Sequence, residues 1–203
     1  GSGGSDRQIT GVGFQPDLVW IKNRDSAQEH VVADAVRGAT KSLTPDTNEV
    51  EATNDLRVGA FISDGFQLGS GDVQNRVNEN GSKMIAWNWK ANGSGSANTD
   101  GDINSTVSVN TTAGFSIVKY TGTLTSATNT TVGHGLGAVP KMIIIKCTGN
   151  SENWGVQHTG LTANYMLQLN TTAAQFDTSA DGTLTSPTSS VFTINYKGEW
   201  GNN

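Results

Sequence analysis

The chain repeats a signature of its own, and no other feature limits its fold as much. Gly13-Phe14-Gln15-Pro16-Asp17-Leu18-Val19-Trp20-Ile21-Lys22 returns as Ala138-Val139-Pro140-Lys141-Met142-Ile143-Ile144-Ile145-Lys146. The two copies lie about 124 residues apart, and an internal period is to be weighed before any local reading. Each copy reads as a proline, a hydrophobic run and a closing lysine. The match continues with His30-Val31-Val32 against Trp154-Gly155-Val156 and Leu43 against Leu167. After a small insertion, Phe66-Gln67-Leu68 aligns with Phe192-Thr193-Ile194. The pattern predicts a duplicated unit rich in short strands.

Composition agrees with that prediction. Only 34% of residues are hydrophobic and 15% charged, and Gly, Ser, Thr and Asn make up the difference. These residues suit turns and exposed strand faces and are poor helix formers. Lys83 to Lys90 alternates with the period of a half-buried strand, Met84, Ala86 and Asn88 on one face, Ile85, Trp87 and Trp89 on the other. On such a strand the tryptophan face is expected to be the core face. Asp17 to Lys22, Glu29 to Ala33, Phe115 to Tyr120, Lys141 to Lys146, Trp154 to His158 and Val191 to Tyr196 are further strand candidates. No segment keeps a helical period. Many short strands broken by Gly, Asn and Asp predict an all-β fold, a β-sandwich or lectin-like jelly roll built from two pseudo-repeats.

Gly1–Ser5 reads as a flexible linker and stands outside the fold. Residues 6–110 are expected to form the first unit and 111–203 the second, with the boundary in the polar stretch from Ala91 to Thr112. The copies are unequal. The first lacks a counterpart of Phe115 to Tyr120, and the second lacks one of Met84 to Trp89. Two explanations stand: the halves share strands in one composite sandwich, which is favoured, or the chain is a fragment of a longer repeat protein. Unshared strands leave open sheet edges, so a homo-oligomer is a natural expectation.

The net charge of −5 argues against nucleic acid, whose phosphates need clustered Lys and Arg. No apolar run approaches the ~20 residues that span a bilayer as a helix, so no membrane insertion is expected. The single cysteine, Cys147, excludes an intrachain disulfide and reads as a small buried hydrophobe at a strand end.

Four segments together resemble a known family. They are the signature at 13–22, Met84-Ile85-Ala86-Trp87-Asn88-Trp89-Lys90, Thr111-Thr112-Ala113-Gly114-Phe115-Ser116-Ile117-Val118-Lys119-Tyr120, and Val132-Gly133-His134-Gly135-Leu136-Gly137-Ala138 leading into the second copy. They resemble a repeat family in virion structural proteins of marine tailed bacteriophages, described as tail-fibre-like or lectin-like. The resemblance covers nearly the whole chain after Ser5. It implies a virion location, a β-rich sandwich, and partners among other virion proteins or cell-surface glycans. It brings no catalytic residues with it.

The residues themselves offer few chemical sites. Asp100, Asp102 and Asn104 place oxygen ligands at alternate positions, as a calcium loop does, but the glycine and glutamate of an EF-hand are replaced by Ser105 and Thr111. A polar hairpin turn explains them as well, and calcium is the one cofactor left open. Asp64, Asp72, Asn75, Asn78 and Glu79 form a second oxygen-rich stretch. The three histidines lack zinc-site spacing, and His134, between two glycines, reads as a turn residue. No nucleophile elbow is present, and the glutamates lie mostly among polar loop residues, so no enzyme is expected. Trp154 and Trp200 lie in polar surroundings and are expected to be exposed. With Asn153 and His158 they are the candidate binding residues. The sequence thus predicts a non-enzymatic virion structural or adhesion module, with a decoration protein as the alternative and a glycan-degrading enzyme behind it.

Overall fold

The computed structural model describes residues 6–69, 74, 76–123, 129–179 and 187–195, and these form strands, turns and irregular segments without a helix. The fold is all-β. It divides into two compact units, Gly1–Asp46 with Glu51–Ser94, and Thr47–Val50 with Gly95–Asn203.

In the first unit the strands are β1 (Gln8–Thr10), β2 (Leu18–Asn23), β3 (Val31–Asp34), β4 (Lys41–Leu43), β5 (Ala52–Thr53), β6 (Val58–Ile62), β7 (Gly65–Leu68) and β8 (Met84–Trp89). They form a five-stranded sheet in the order β5-β4-β3-β2-β8 and a three-stranded sheet in the order β1-β7-β6. Every pairing is antiparallel. Alternation in β2 decides the layers: Val19 and Ile21 are buried, while Leu18, Trp20 and Lys22 are half-buried on the other face. The inward pair meets Val31 and Ala33 of β3 and, from the second sheet, Val58, Phe66 and Leu68, with Val77 completing the cluster. Full burial of such side chains contributes about 2–3 kcal/mol each, enough to hold two sheets face to face.

Buried polar groups secure the connections. Asp17, just ahead of β2, accepts from Ala91 N at 2.7 Å and Gly93 N at 3.1 Å, which fixes the chain as it leaves β8. Asp34 ends β3 and accepts from Val36 N and Arg37 N. Its other oxygen takes Arg37 Nε at 2.5 Å, and Arg37 reaches Glu51 at 3.1 Å.

In the second unit the strands are β9 (Ser96–Asn98), β10 (Ser105–Asn110), β11 (Phe115–Tyr120), β12 (Asn129–Gly133), β13 (Met142–Ile145), β14 (Gly155–His158), β15 (Tyr165–Gln168), β16 (Phe176–Asp177) and β17 (Val191–Asn195). The sheets are β11-β10-β9, β12-β17 and β13-β14-β15-β16. Ile103, Val132, Ile145, Met166, Phe192 and Ile194 form the core, and Val118, Tyr120, Ile143 and Phe176 pack against it. The β10–β11 hairpin closes through Asn110, which accepts from Ala113 N, and through Gly114 at φ +66°, a left-handed position that favours glycine.

Strands β13 to β16 follow one another across their sheet in the way that β2 to β5 do, and β12 pairs with β17 as β1 does with β7. One difference matters. β2 has β8 on its far side, whereas β13 has no second neighbour among the described strands.

Each described ladder joins strands of one unit, and each unit has a hydrophobic cluster of its own. The division falls between Ser94 and Gly95 rather than at 110/111, because β10 and β11 are one hairpin.

Candidate functional site

The most chemically distinctive surface lies on the outer face of the five-stranded sheet. β8 pairs with β2 in the register Leu18↔Trp89, Trp20↔Trp87 and Lys22↔Ile85. Opposed residues of an antiparallel pair share a face, and the face of Trp20 is the one that Val19 and Ile21 leave. Ile85, Trp87 and Trp89 are therefore carried outward, and the expectation that they form the core face of β8 is reversed. Ala86, on the opposite face, packs against the core. Trp87 is 43% exposed.

The cluster is ordered from within. Trp20 and Trp87 meet edge to face, 6.2 Å between ring centroids at 71°. Trp20 Nε1 donates to His30 Nδ1 at 2.9 Å, and the two rings are 5.9 Å apart at 64°. Because Nδ1 accepts, the imidazole is neutral, and burial pushes its pKa down in spite of nearby Asp46. His30 N donates to Asp46 Oδ1 at 2.9 Å. Lys22 on the same face donates its ammonium to the carbonyls of Ser26 and Gln28, which pins the β2–β3 turn. The result is a rigid aromatic patch bordered by polar groups. An indole of this kind offers a flat apolar surface and a polar edge at little entropic cost.

The sequence-predicted residues lie elsewhere. Trp154 is not exposed: it is 7% accessible, because Nε1 donates to the Thr47 carbonyl at 3.1 Å and its own amide is held by Asn170 Oδ1. Asn153 is half-buried and accepts from Asn170 Nδ2 at 2.8 Å. His158 is exposed, and its Nδ1 caps the following turn by accepting from Gly160 N at 2.9 Å. Trp200 lies outside the described residues. Trp154, Asn153 and His158 are therefore not brought together as one exposed surface.

The oxygen-rich segments are engaged in turns. Asp102 Oδ2 accepts from both the amide and the hydroxyl of Thr131, at 3.0 and 2.8 Å. Asp100 exchanges bonds with Asn98, and Asn104 is exposed. In the other stretch, Asp72 and Asn75 lie outside the described residues. Asp64 accepts from Gly11 N and Gly13 N, which lowers its pKa, and Glu79 accepts from Ser82 and Asn23, with the same effect. Among the described residues, no group of three His, Cys, Asp or Glu side chains is placed to hold a metal.

His134 takes in the second unit a part that Asp64 takes in the first. Its Nδ1 accepts from Leu136 N at 3.2 Å, so Nε2 carries the proton and donates to the Thr188 carbonyl at 3.2 Å. Burial lowers its pKa. Carboxylates and imidazoles in both units thus organise loops.

A family model described as a domain of unknown function, DUF7483, matches residues 1–203. The chain belongs to the DUF7483 family. No curated protein and no solved structure matches this DUF7483 chain. Sequence reasoning missed its Trp20–Trp87–His30 cluster because period-two alternation identifies two faces of β8 without saying which one meets the core. The missing signal was the parity of β2, where Val19 and Ile21 outweigh Trp20.

Proposed function

We propose that this DUF7483 chain is a non-catalytic adhesion and structural module of a viral particle. Its contact surface is the outer sheet face bearing Trp20, Trp87 and His30. The observation that carries this reading is the 43%-exposed indole of Trp87, set edge to face on Trp20, whose own indole is bonded to the neutral His30 imidazole. Isolated exposed apolar residues are common and carry no meaning, but an ordered aromatic patch is typical of contact surfaces. The resemblance to phage tail-fibre-like proteins supports the viral setting. The all-β architecture and turn-capping carboxylates suit a durable binding scaffold.

The ligand class that fits is a pyranose of a cell-surface glycan, whose apolar face would stack on Trp87. Single contacts of this kind are weak, and an appendage carrying many copies would gain avidity through effective concentration. The test is binding of the purified chain to a glycan array and to host cells, read by tryptophan fluorescence. Loss of binding in Trp87→Ala, with thermal stability nearly kept, is the expected result. Absence of binding to any glycan or cell surface would remove the adhesion role and favour a purely architectural one. The same titration with calcium and with chelator tests the loop of Asp100, Asp102 and Asn104. A calcium-dependent change there would add a metal to the reading.

A further inference from the structure

We infer that β13 is an assembly edge: two copies of this chain join antiparallel along it, around a two-fold axis at Ile143. The inference does not rest on the adhesion reading, since self-pairing and ligand binding use different strands.

Hydrogen-bond parity sets the argument. Met142 lies opposite His158, so Lys141 lies opposite Thr159, and Thr159 N donates to Lys141 O at 3.0 Å. Hydrogen-bonded and non-bonded pairs alternate along an antiparallel ladder. Ile143 and Ile145 therefore bond to β14, and the N–H and C=O groups of Met142 and Ile144 point to the side where no described strand lies. These two residues are also exposed, Met142 at 55% and Ile144 at 41%. An open edge carrying exposed apolar side chains is a template for another strand, and natural edges are usually blunted by charge, proline or a bulge. Residues 142–145 contain none of these, and the flanking lysines stand outside the run.

The first unit illustrates how such an edge is completed. There β8 lies antiparallel on β2, and Trp87 covers Trp20, which by the repeat corresponds to Ile144. The device that secures β8 is Asp17, which grips the chain at Ala91 and Gly93. At the corresponding position of the second unit stands Lys141, which has no carboxylate to offer. β13 is thus not equipped to hold a β8-like strand in the same way.

A second copy of β13 fits by parity and by face. In a two-fold arrangement Met142 of each copy opposes Ile144 of the other, both with bonding groups turned inward to the new ladder and both on the same face. The four exposed side chains then form one apolar stripe. Each Lys141 opposes Ile145 of the other copy, so no like charges are set against each other. β8 of a second copy fits less well. Arg24 N donates to Lys83 O, which by the same alternation leaves Met84, Ala86 and Asn88 facing its open side. Those residues are on the inner face of β8, and pairing them antiparallel with Met142 and Ile144 would set inner face beside outer. The Ala86 carbonyl is also occupied by Asn88 Nδ2. An isologous contact of this kind closes as a dimer and does not propagate. The shared ladder is short, so the dimer should dissociate in the micromolar to millimolar range.

The test is mass measurement by light scattering of the full chain across that range, with three variants. The wild type should pass from monomer to dimer as concentration rises. Ile144→Lys and Ile144→Pro should stay monomeric while keeping the wild-type circular dichroism, since position 144 is exposed and its amide does not serve β14. In a Cys147→Ser background, Ile143→Cys should form a disulfide-linked dimer on mild oxidation, because opposed non-bonded residues sit about 4.5 Å apart between Cα atoms. A wild type that remains monomeric at millimolar concentration overturns the inference. So does a dimer that survives both position-144 variants, or one that Ile143→Cys fails to cross-link.

Discussion

Asp17 illustrates how much one carboxylate can fix. It is buried, lies just ahead of β2, and accepts from two amides more than 70 residues further along the chain, Ala91 N and Gly93 N. Replacement by alanine leaves both donors without their partner in a buried place, at a cost of about 2–3 kcal/mol. Urea unfolding of Asp17→Ala should show that loss, and Asp17→Asn, which keeps an acceptor, should lose less. The histidines make an acid-sensitive pair. Both His30 and His134 have folded pKa values lowered from 6.5 by burial, so below that value the unfolded chain binds more protons than the folded one. Stability is therefore fully present above pH 6.5 and declines as pH falls toward the folded values. The melting temperature should drop between neutral pH and about pH 5, and the drop should be smaller in His134→Gln. A turn role for His134 was readable from its flanking glycines. The clamp of Asp17 was not, because nothing local to Pro16-Asp17 points to residues so far away.

Strands were readable as strands, since alternation and β-branched runs mark β2, β8, β11 and β13 wherever they pair. What alternation leaves open is direction. On an alternating strand the face of Trp87 and Trp89 is expected to be the core face, yet register with β2 turns them out. The polar neighbours of Trp154 point to exposure, yet the residue is enclosed by groups far away in sequence, the Thr47 carbonyl and the Asn170 side chain. In both cases partners distant in sequence, which hydropathy does not report, decided the outcome. Two substitutions on adjacent strands should separate the faces. Ile21→Ala, inside the core, should cost about 2–5 kcal/mol by cavity formation. Trp87→Ala should cost only about 1 kcal/mol, the value of an aromatic pair at a surface. Comparable losses from the two would contradict the assignment of faces.

At the scale of the molecule, the chain builds two hydrophobic cores. Phe66 anchors the first and Phe192 the second. Phe66→Ala should lower stability by about 3–5 kcal/mol. Hydrogen exchange should place the loss in β6 and β7, with β12 and β17 keeping most of their protection. The boundary between the units is less simple than a linker. Thr47–Val50 lies within the first unit in sequence but belongs to the second in space, and its first carbonyl receives the Trp154 indole. The backbone thus passes from one unit to the other three times. A protease cutting after Ser94 would not release two finished modules, because one product would take with it Thr47, whose carbonyl holds the other product's Trp154 indole. To be transplanted whole, the second unit has to carry Thr47–Val50 along with it.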